Sequence, residues 1–524
     1  MLRVRCLPLA AALLACAAPA AAETGPKPTA GVTRTVLLAG NNWDGTTDVI
    51  DPYTLERLDR INVIPDKEAR EAEIMLDPVK TAYFQLIRQQ VGEGHDQYND
   101  DVFSSHDGRT IYVSRPSFAD VVSIDLATKA IVWRTPVGGY RADHMAISPD
   151  GTKLLVSAST ANVVDQIDTA TGKITGSWAS GDSPHESNYI NGGKTILHAS
   201  IGRVYLPNDS PEEDATLKGK RVFQVVDADT LEVKKTLDMG AKLAEAGFPD
   251  MSSAVRPMAI APDERHLYFQ VSFFHGFVEY DLQTDKVLRI AKLPVSEETQ
   301  KLQRSDYLLD SAHHGLAINP QGTQLCVAGT MSNYGAIVDR KTFAYKRIDG
   351  ISKPYWSTNS YTGRQCYISG SGDDAVWVVS YAAGKKLAKI PVGDHPQRLR
   401  NGVARLDIYP RTGNAANEKF DFRLKAPKVA FTIGNAREAI SCRAAGTTDL
   451  RLADCLIRIV KGATTLAAGE RIVRNSNGFG VDVDLTPAGT KRLKGHRMKA
   501  TLVALGTDSL GRTKTVRRKV TLVG

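Results

Sequence analysis

Pairs of ionisable or aromatic residues recur along this chain about 42 residues apart, or at that spacing plus an insertion. They are Asp100-Asp101, Asp143-His144, His185-Glu186, Arg256-Pro257, His313-His314, Tyr355-Trp356 and Gln397-Arg398, the last preceded by His395. Six of the 11 histidines (His95, His144, His185, His313, His314 and His395) stand at these positions or just ahead of them. Three chemistries use such a set. Imidazoles joined by one or two carboxylates bind copper, zinc or iron, and His144, His185, His313 and His314 are the candidate ligands. Alternatively, His144 or His185 with Glu186 or Asp101 can do acid–base work, as in hydrolysis or lactone chemistry. Arg256 and Arg398 would then hold a substrate carboxylate or a developing oxyanion. The third option is binding without turnover: Asp100, Asp101, Asp143, Arg256, His395 and Arg398 contact a ligand, and Tyr355 and Trp356 offer stacking faces. Polar side chains at such positions can also serve only water and backbone. Linear spacing does not choose among these, because each residue comes from a different repeat, and whether the chain is an enzyme stays open.

The elements that must bring these residues together are short strands. Ser148-Pro149-Asp150-Gly151 is followed by an apolar run from Lys153, a second run from Val163 to Asp168, a Thr-Gly turn and a third run from Ile174 to Trp178. The same grammar recurs. Turn glycines stand at 108, 151, 193, 322 and 363, with Glu264 in the equivalent slot of one further repeat. Strands end on an aspartate at Asp125, Asp168, Asp227, Asp281 and Asp339. Four short strands per ~42 residues is the signature of a β-propeller blade. Six units are complete. A seventh starts in mid-blade at Thr35–Ala39, and its missing inner strand is expected from Asn401 to Asp407, which would close the ring by joining the two ends of the propeller.

The strand, the Val-Ile-Asp ending, the Thr-Gly turn and the Val-Gly-x-x-Pro element (Pro391-Val-Gly-Asp-His-Pro396 here) resemble the YVTN-repeat, or YncE-like, propellers of exported bacterial proteins. The resemblance covers about residues 33–408 and implies a fold rather than an activity. Related propellers include lactonases and the propeller half of nitrous oxide reductase, whose inner loops carry a histidine-rich copper centre. The expected fold class is all-β: a seven-bladed β-propeller closed by a C-terminal strand, with a small C-terminal β-sandwich. Helical insertions are expected near 66–90, 237–250 and 293–309, all ahead of an inner strand, where they can wall a pocket over the channel. A linker is expected over 409–424. Residues 425–524 alternate as strands and resemble an immunoglobulin-like sandwich of bacterial exported proteins.

The N-terminus reads as an export signal, with Arg3 and Arg5, an apolar run from Leu7 to Ala15, and an Ala20-Ala21-Ala22 cleavage pattern. Cleavage after residue 22 is expected; the alternative is a lipoprotein signal ending before Cys16. Export places the remaining cysteines in an oxidising compartment. There Cys442 and Cys455 can close a 13-residue loop, whereas Cys326 and Cys366, in interior strands of neighbouring repeats, are expected as buried free thiols. No run is long enough for a transmembrane helix.

The net charge of +8 is unevenly spread. From Ala415 onward there are 21 Lys+Arg and 9 Asp+Glu, a net of +12, so the rest carries 8 − 12 = −4, or −6 without Arg3 and Arg5. The basic module invites an anionic envelope surface rather than nucleic acid, because no aromatics interleave its cations. No P-loop, dinucleotide fingerprint, G-x-S-x-G, H-E-x-x-H, C-x-x-C or haem-attachment motif is present. The expectation is a monomeric, secreted, periplasmic or envelope-attached protein whose partner is a small molecule or extracellular polymer.

Overall fold

The computed structural model describes residues 25–206, 210–411, 419–427, 430–433, 440–445, 451–473 and 478–524. Both expected signal cleavage points lie outside these residues. The repeats fold into seven four-stranded antiparallel sheets. Their innermost strands are Asp101–Ser104, Ala142–Ile147, Pro184–Ile190, Val255–Ile260, Gly315–Ile318, Pro354–Asn359 and Pro396–Arg405. Each touches the next around a ring, and the last touches the first. The molecule is therefore a seven-bladed β-propeller. Pro396–Arg405 pairs with Thr33–Asn41, and these strands with Thr46–Ile50 and Arg57–Asn62 make one blade from both ends of the ring. The closing strand begins five residues before the expected Asn401.

Local chemistry explains the repeat. In six of the seven blades an aspartate at the end of the third strand caps the turn to the fourth; in the blade of Ala375–Ser380 a serine stands there. Asp125 Oδ1 accepts from the amides of Ala127 and Thr128 at 2.9 and 2.8 Å, and Asp227 and Asp339 accept from Thr230 and Thr342 at 2.9 Å. The turn between the first two strands needs a left-handed residue. Gly151 supplies φ +75°, and Glu264, with φ +50°, adopts the same conformation despite its side chain.

The strand pairing adds a feature that the repeat pattern does not show. In five blades the innermost strand begins with a β-bulge. Opposite two residue steps on the neighbouring strand lie three on the inner one, from 142 to 145, 184 to 187, 255 to 258, 354 to 357 and 396 to 399. The extra residue falls on the pairs Asp143-His144, His185-Glu186, Arg256-Pro257, Tyr355-Trp356 and Gln397-Arg398. A bulge breaks the alternation of side chains and re-aims them.

The first insertion is a helix pair, Lys67–Met75 and Pro78–Leu86, continued by a turn at Ile87–Val91. Asp77 caps the second helix at Val79 and Lys80. Fully buried Arg115 binds Asp66 at its start and Asp120 in the blade, and Arg88 holds Asp96 at its end at 2.7 and 2.6 Å. Of its apolar side chains, Ile74, Phe84 and Ile87 are buried and Val79 is exposed. The second insertion forms the helix Met239–Glu245, packed between two neighbouring blades through Met239 and Leu243. The third forms three short turns between Thr299 and Asp310. A further excursion between Ser200 and Phe223, with the helix Pro211–Leu217, accounts for the rest of the long third repeat.

Beyond the ring, a three-stranded sheet (Asp421–Lys425, Ser441–Ala445, Gly478–Gly480) faces a six-stranded one built around Leu452–Lys461, Arg497–Asp508 and Thr513–Val523. Both sheets supply one core, including Phe422, Ile457, Leu466, Val481 and Leu502, which makes this part a β-sandwich. Its first strand starts at Asp421, within the segment expected as linker. Two disulfides are present, Cys442–Cys455 and Cys326–Cys366. The second corrects the expectation of free thiols. The two cysteines lie on corresponding strands of adjacent blades, with Cα atoms 6.4 Å apart, which is bridging distance. No helix among the described residues is long and apolar enough to cross a membrane.

Candidate functional site: a histidine cluster in the channel

The channel holds two chambers of about 420 Å³ each. The ring positions line the first: Asp100, Asp143, His144, His185, Arg256, His314, Tyr355, Gln397 and Arg398. Residues one to three places further along the inner strands line the second, among them Glu186, Asn188, Met258, Leu316, Trp356 and Arg400. Within a bulged pair the two side chains can therefore serve different chambers: His185 faces one and Glu186 the other.

Three imidazoles converge in the first chamber. Ligand-capable nitrogens of His144, His185 and His314 all lie within 4.8 Å of one another, and the three rings are buried. The ring centroids stand 3.7 Å apart for His144 and His185, 5.5 Å for His185 and His314, and 6.0 Å for His144 and His314. Neither ring nitrogen of His144 has a hydrogen-bond partner, nor does Nδ1 of His185 or of His314. Burial holds all three pKa values well below the usual histidine range. Arg398 adds to this at His144 and His314, and the neighbouring His314 adds to it at His185. The rings are thus neutral, with lone pairs available. Asp100 and Asp143 form a second group with His144 on the same 4.8 Å criterion.

The surrounding charges are arranged in layers. Arg398 lies over Tyr355 and Trp356, with its guanidinium carbon 5.3 and 4.8 Å from the ring centroids, and its nearest carboxylate is Asp100 at 3.6 Å. Burial raises the Asp100 carboxyl, against the pull of Arg398. Arg141 pairs with Asp143, and Arg256 donates to Ser272 and to the Leu309 carbonyl. Tyr355 stacks on His314 at 4.1 Å. The helix pair contributes Ala82, Tyr83, Leu86, Ile87 and Val91 as a wall, and the 201–205 segment and Leu309 complete it.

Other expected residues fall elsewhere. His313 points away from the cluster: Nε2 meets the Tyr334 hydroxyl at 3.2 Å and its ring faces His275 edge-on at 5.3 Å. Neighbours along the chain at a strand start face opposite ways, so only one of the His313-His314 pair enters the channel. His395 stacks on one face of Trp43 at 3.7 Å, and His95 covers the other at 3.9 Å. Asp101 is bound by both arms of Arg400, at 2.9 and 2.7 Å, and by the Met145 amide. Glu186 accepts from Asn188 and the Met258 amide, and burial pushes its carboxyl up to about 7. His198 has both ring nitrogens engaged by Ser180 and Ser187, away from the chambers. Arg141, two residues before Asp143, and the 201–205 wall belong to the site without standing at a ring position. The first is visible in the sequence just ahead of the Asp143-His144 pair, and the second is signalled only by the length of the third repeat.

Fold and site together define a seven-bladed propeller with a histidine cluster in its channel. Comparison with family models gives no match, nor does comparison with curated proteins. Among solved structures, a chain of Kuenenia stuttgartiensis hydrazine synthase aligns with 57% of this chain and 88% of its own length, at 16% identity and a TM-score of 0.44.

Proposed function

We propose that this protein binds a small molecule at a transition-metal centre held by His144, His185 and His314 in the channel mouth. The observation that carries the reading is the group of three buried, neutral imidazoles whose nitrogens converge, with both nitrogens of His144 and Nδ1 of His185 and His314 lacking a hydrogen-bond partner. Buried polar atoms in native proteins are normally hydrogen-bonded, so such a group calls for a ligand. Imidazole donors suit zinc, copper and iron, and metal–nitrogen bonds of ~2.0–2.1 Å need only small ring movements from the spacing present. Such a metal would supply Lewis acidity or electron transfer to whatever binds beside it. A metal-free acid–base hydrolase is supported less well. Of its two carboxylate candidates, Asp101 is committed to Arg400 and Glu186 faces the other chamber.

The test is elemental analysis of protein purified without chelator or histidine tag. Copper, zinc or iron at about one equivalent is expected, lost in His144→Ala and His185→Ala and kept in His313→Ala. Metal that survives His144→Ala, or protein that cannot be loaded with any of the three ions, would overturn the reading.

The repeat text supports kinship with the YVTN-repeat proteins as part of this proposal, and the signal-like N-terminus and two disulfides support export to an oxidising compartment. In the same reading the basic sandwich tethers the propeller to an anionic envelope surface. Deleting residues 415–524 should then release the protein from envelope fractions.

A further inference from the structure

The first chamber is chemically two-sided. Its floor carries the three imidazoles and Arg398. Its wall is apolar, made by Leu86, Ile87, Val91, Ile201, Val204 and Leu309. Arg398 is 1% exposed, and its Nε and Nη1 have no hydrogen-bond partner. Its nearest carboxylate, Asp100, stands at 3.6 Å, outside hydrogen-bonding range, and Asp100 Oδ2 is itself unpartnered. A buried guanidinium with two free donors is a costly arrangement unless an acceptor arrives. The planar fork of arginine matches a carboxylate, which can accept two parallel bonds. The formal charge of the lining points the same way, with Arg141, Arg203, Arg256 and Arg398 against Asp100, Asp143 and Asp182. A metal cation on the histidines would add to that excess.

We infer that the ligand is a small carboxylate with an apolar body, its head on Arg398 beside the three histidines and its body against the wall formed by the helix pair and the 201–205 segment. The chamber's volume of about 420 Å³ suits a compact molecule rather than a polymer. The inference rests on the metal-centre reading only for what lies beside the carboxylate; Arg398 and the wall stand independently of it.

The test is calorimetric titration of the metal-loaded full chain with benzoate and hexanoate, each compared with its neutral amide, benzamide and hexanamide. Saturable binding of a carboxylate at least tenfold tighter than its amide is expected. Arg398→Gln should abolish that preference while metal content stays unchanged. Leu86→Ser, at a half-exposed position that does not threaten folding, should weaken hexanoate several-fold. Equal binding of acid and amide, or of benzoate by native protein and Arg398→Gln, would overturn the inference, as would failure of both acids to bind. The acid-over-amide comparison on native protein decides the matter even where Arg398→Gln does not fold. Metal without carboxylate binding sinks this inference alone; carboxylate preference without metal sinks the metal centre and leaves this one standing.

Discussion

At the scale of residues, neighbours one position apart do different work. His185 joins the imidazole cluster while Glu186 serves the second chamber; Asp100 faces Arg398 while Asp101 is locked to Arg400. The sequence made the enrichment of ionisable residues at ring positions legible, because the repeat length aligns them. It did not separate His314 from His313, or Asp100 from Asp101, because that depends on which way a side chain leaves the strand start. The separation has a measurable consequence. As a fully buried carboxylate held by the half-buried guanidinium of Arg400, Asp101 should tolerate substitution poorly. Removing one partner of a buried pair costs about 3–5 kcal/mol, and Arg400 keeps some access to solvent, so Asp101→Asn should cost about 2–3 kcal/mol. Metal content should not change. Denaturant unfolding of the purified variant measures the first and elemental analysis the second. A stable variant that has lost its metal would return Asp101 to the site.

At the scale of elements, the repeat grammar was readable because its signals are local. The Asx caps act over three residues and the turn glycines over one. The β-bulges were not readable, because a bulge is defined by what lies opposite it on another strand. The Cys326–Cys366 bond was missed for a similar reason: sequence placed each cysteine in a strand but did not show that the two strands face each other across adjacent blades. A helical insertion near 66–90 over the channel is legible in the sequence; its division into two helices and its anchoring are not. Arg115 sits in the second strand of its blade and reaches across to Asp66, tying the pair to the ring. That contact is worth about 1–3 kcal/mol as a charge-assisted bond, most of it local to the insertion. Asp66→Ala should therefore loosen the helix pair without unfolding the propeller, since Asp120 still neutralises Arg115. Limited trypsin digestion should cut faster at Lys67, Arg70 or Lys80, while the global unfolding midpoint moves little. Unchanged cleavage would mean that packing of Ile74 and Phe84 on Tyr98 and Phe118 holds the insertion by itself.

At the scale of the whole molecule, two parts of opposite formal charge, −4 over residues 1–414 and +12 over 415–524, meet at a buried polar contact rather than across a bare linker. Arg364, at the start of a blade strand, binds Asp454 at 2.6 Å and reaches Thr507, while Gln365 and Ser380 donate to Glu470. One guanidinium thus faces two buried carboxyls. Burial raises both of them, more than Arg364 lowers them, and Glu470 is pushed up to about 7. The folded state therefore keeps a proton that the unfolded chain gives up in the ordinary carboxylate range. The sign follows from proton counts: where the folded state binds more protons, stability falls as pH rises. The contribution is complete below the unfolded value of about 4 and is lost as pH climbs through about 7. Thermal unfolding of the native chain should accordingly weaken between about pH 5 and pH 8, by on the order of 1 kcal/mol. Glu470→Gln, which keeps the shape and removes the titration, should make that slope shallower by the share of Glu470, leaving the shares of Glu186 and Asp100. If the slope is the same in the variant, the docking of sandwich on propeller does not depend on this proton, and the pH response arises elsewhere in the chain.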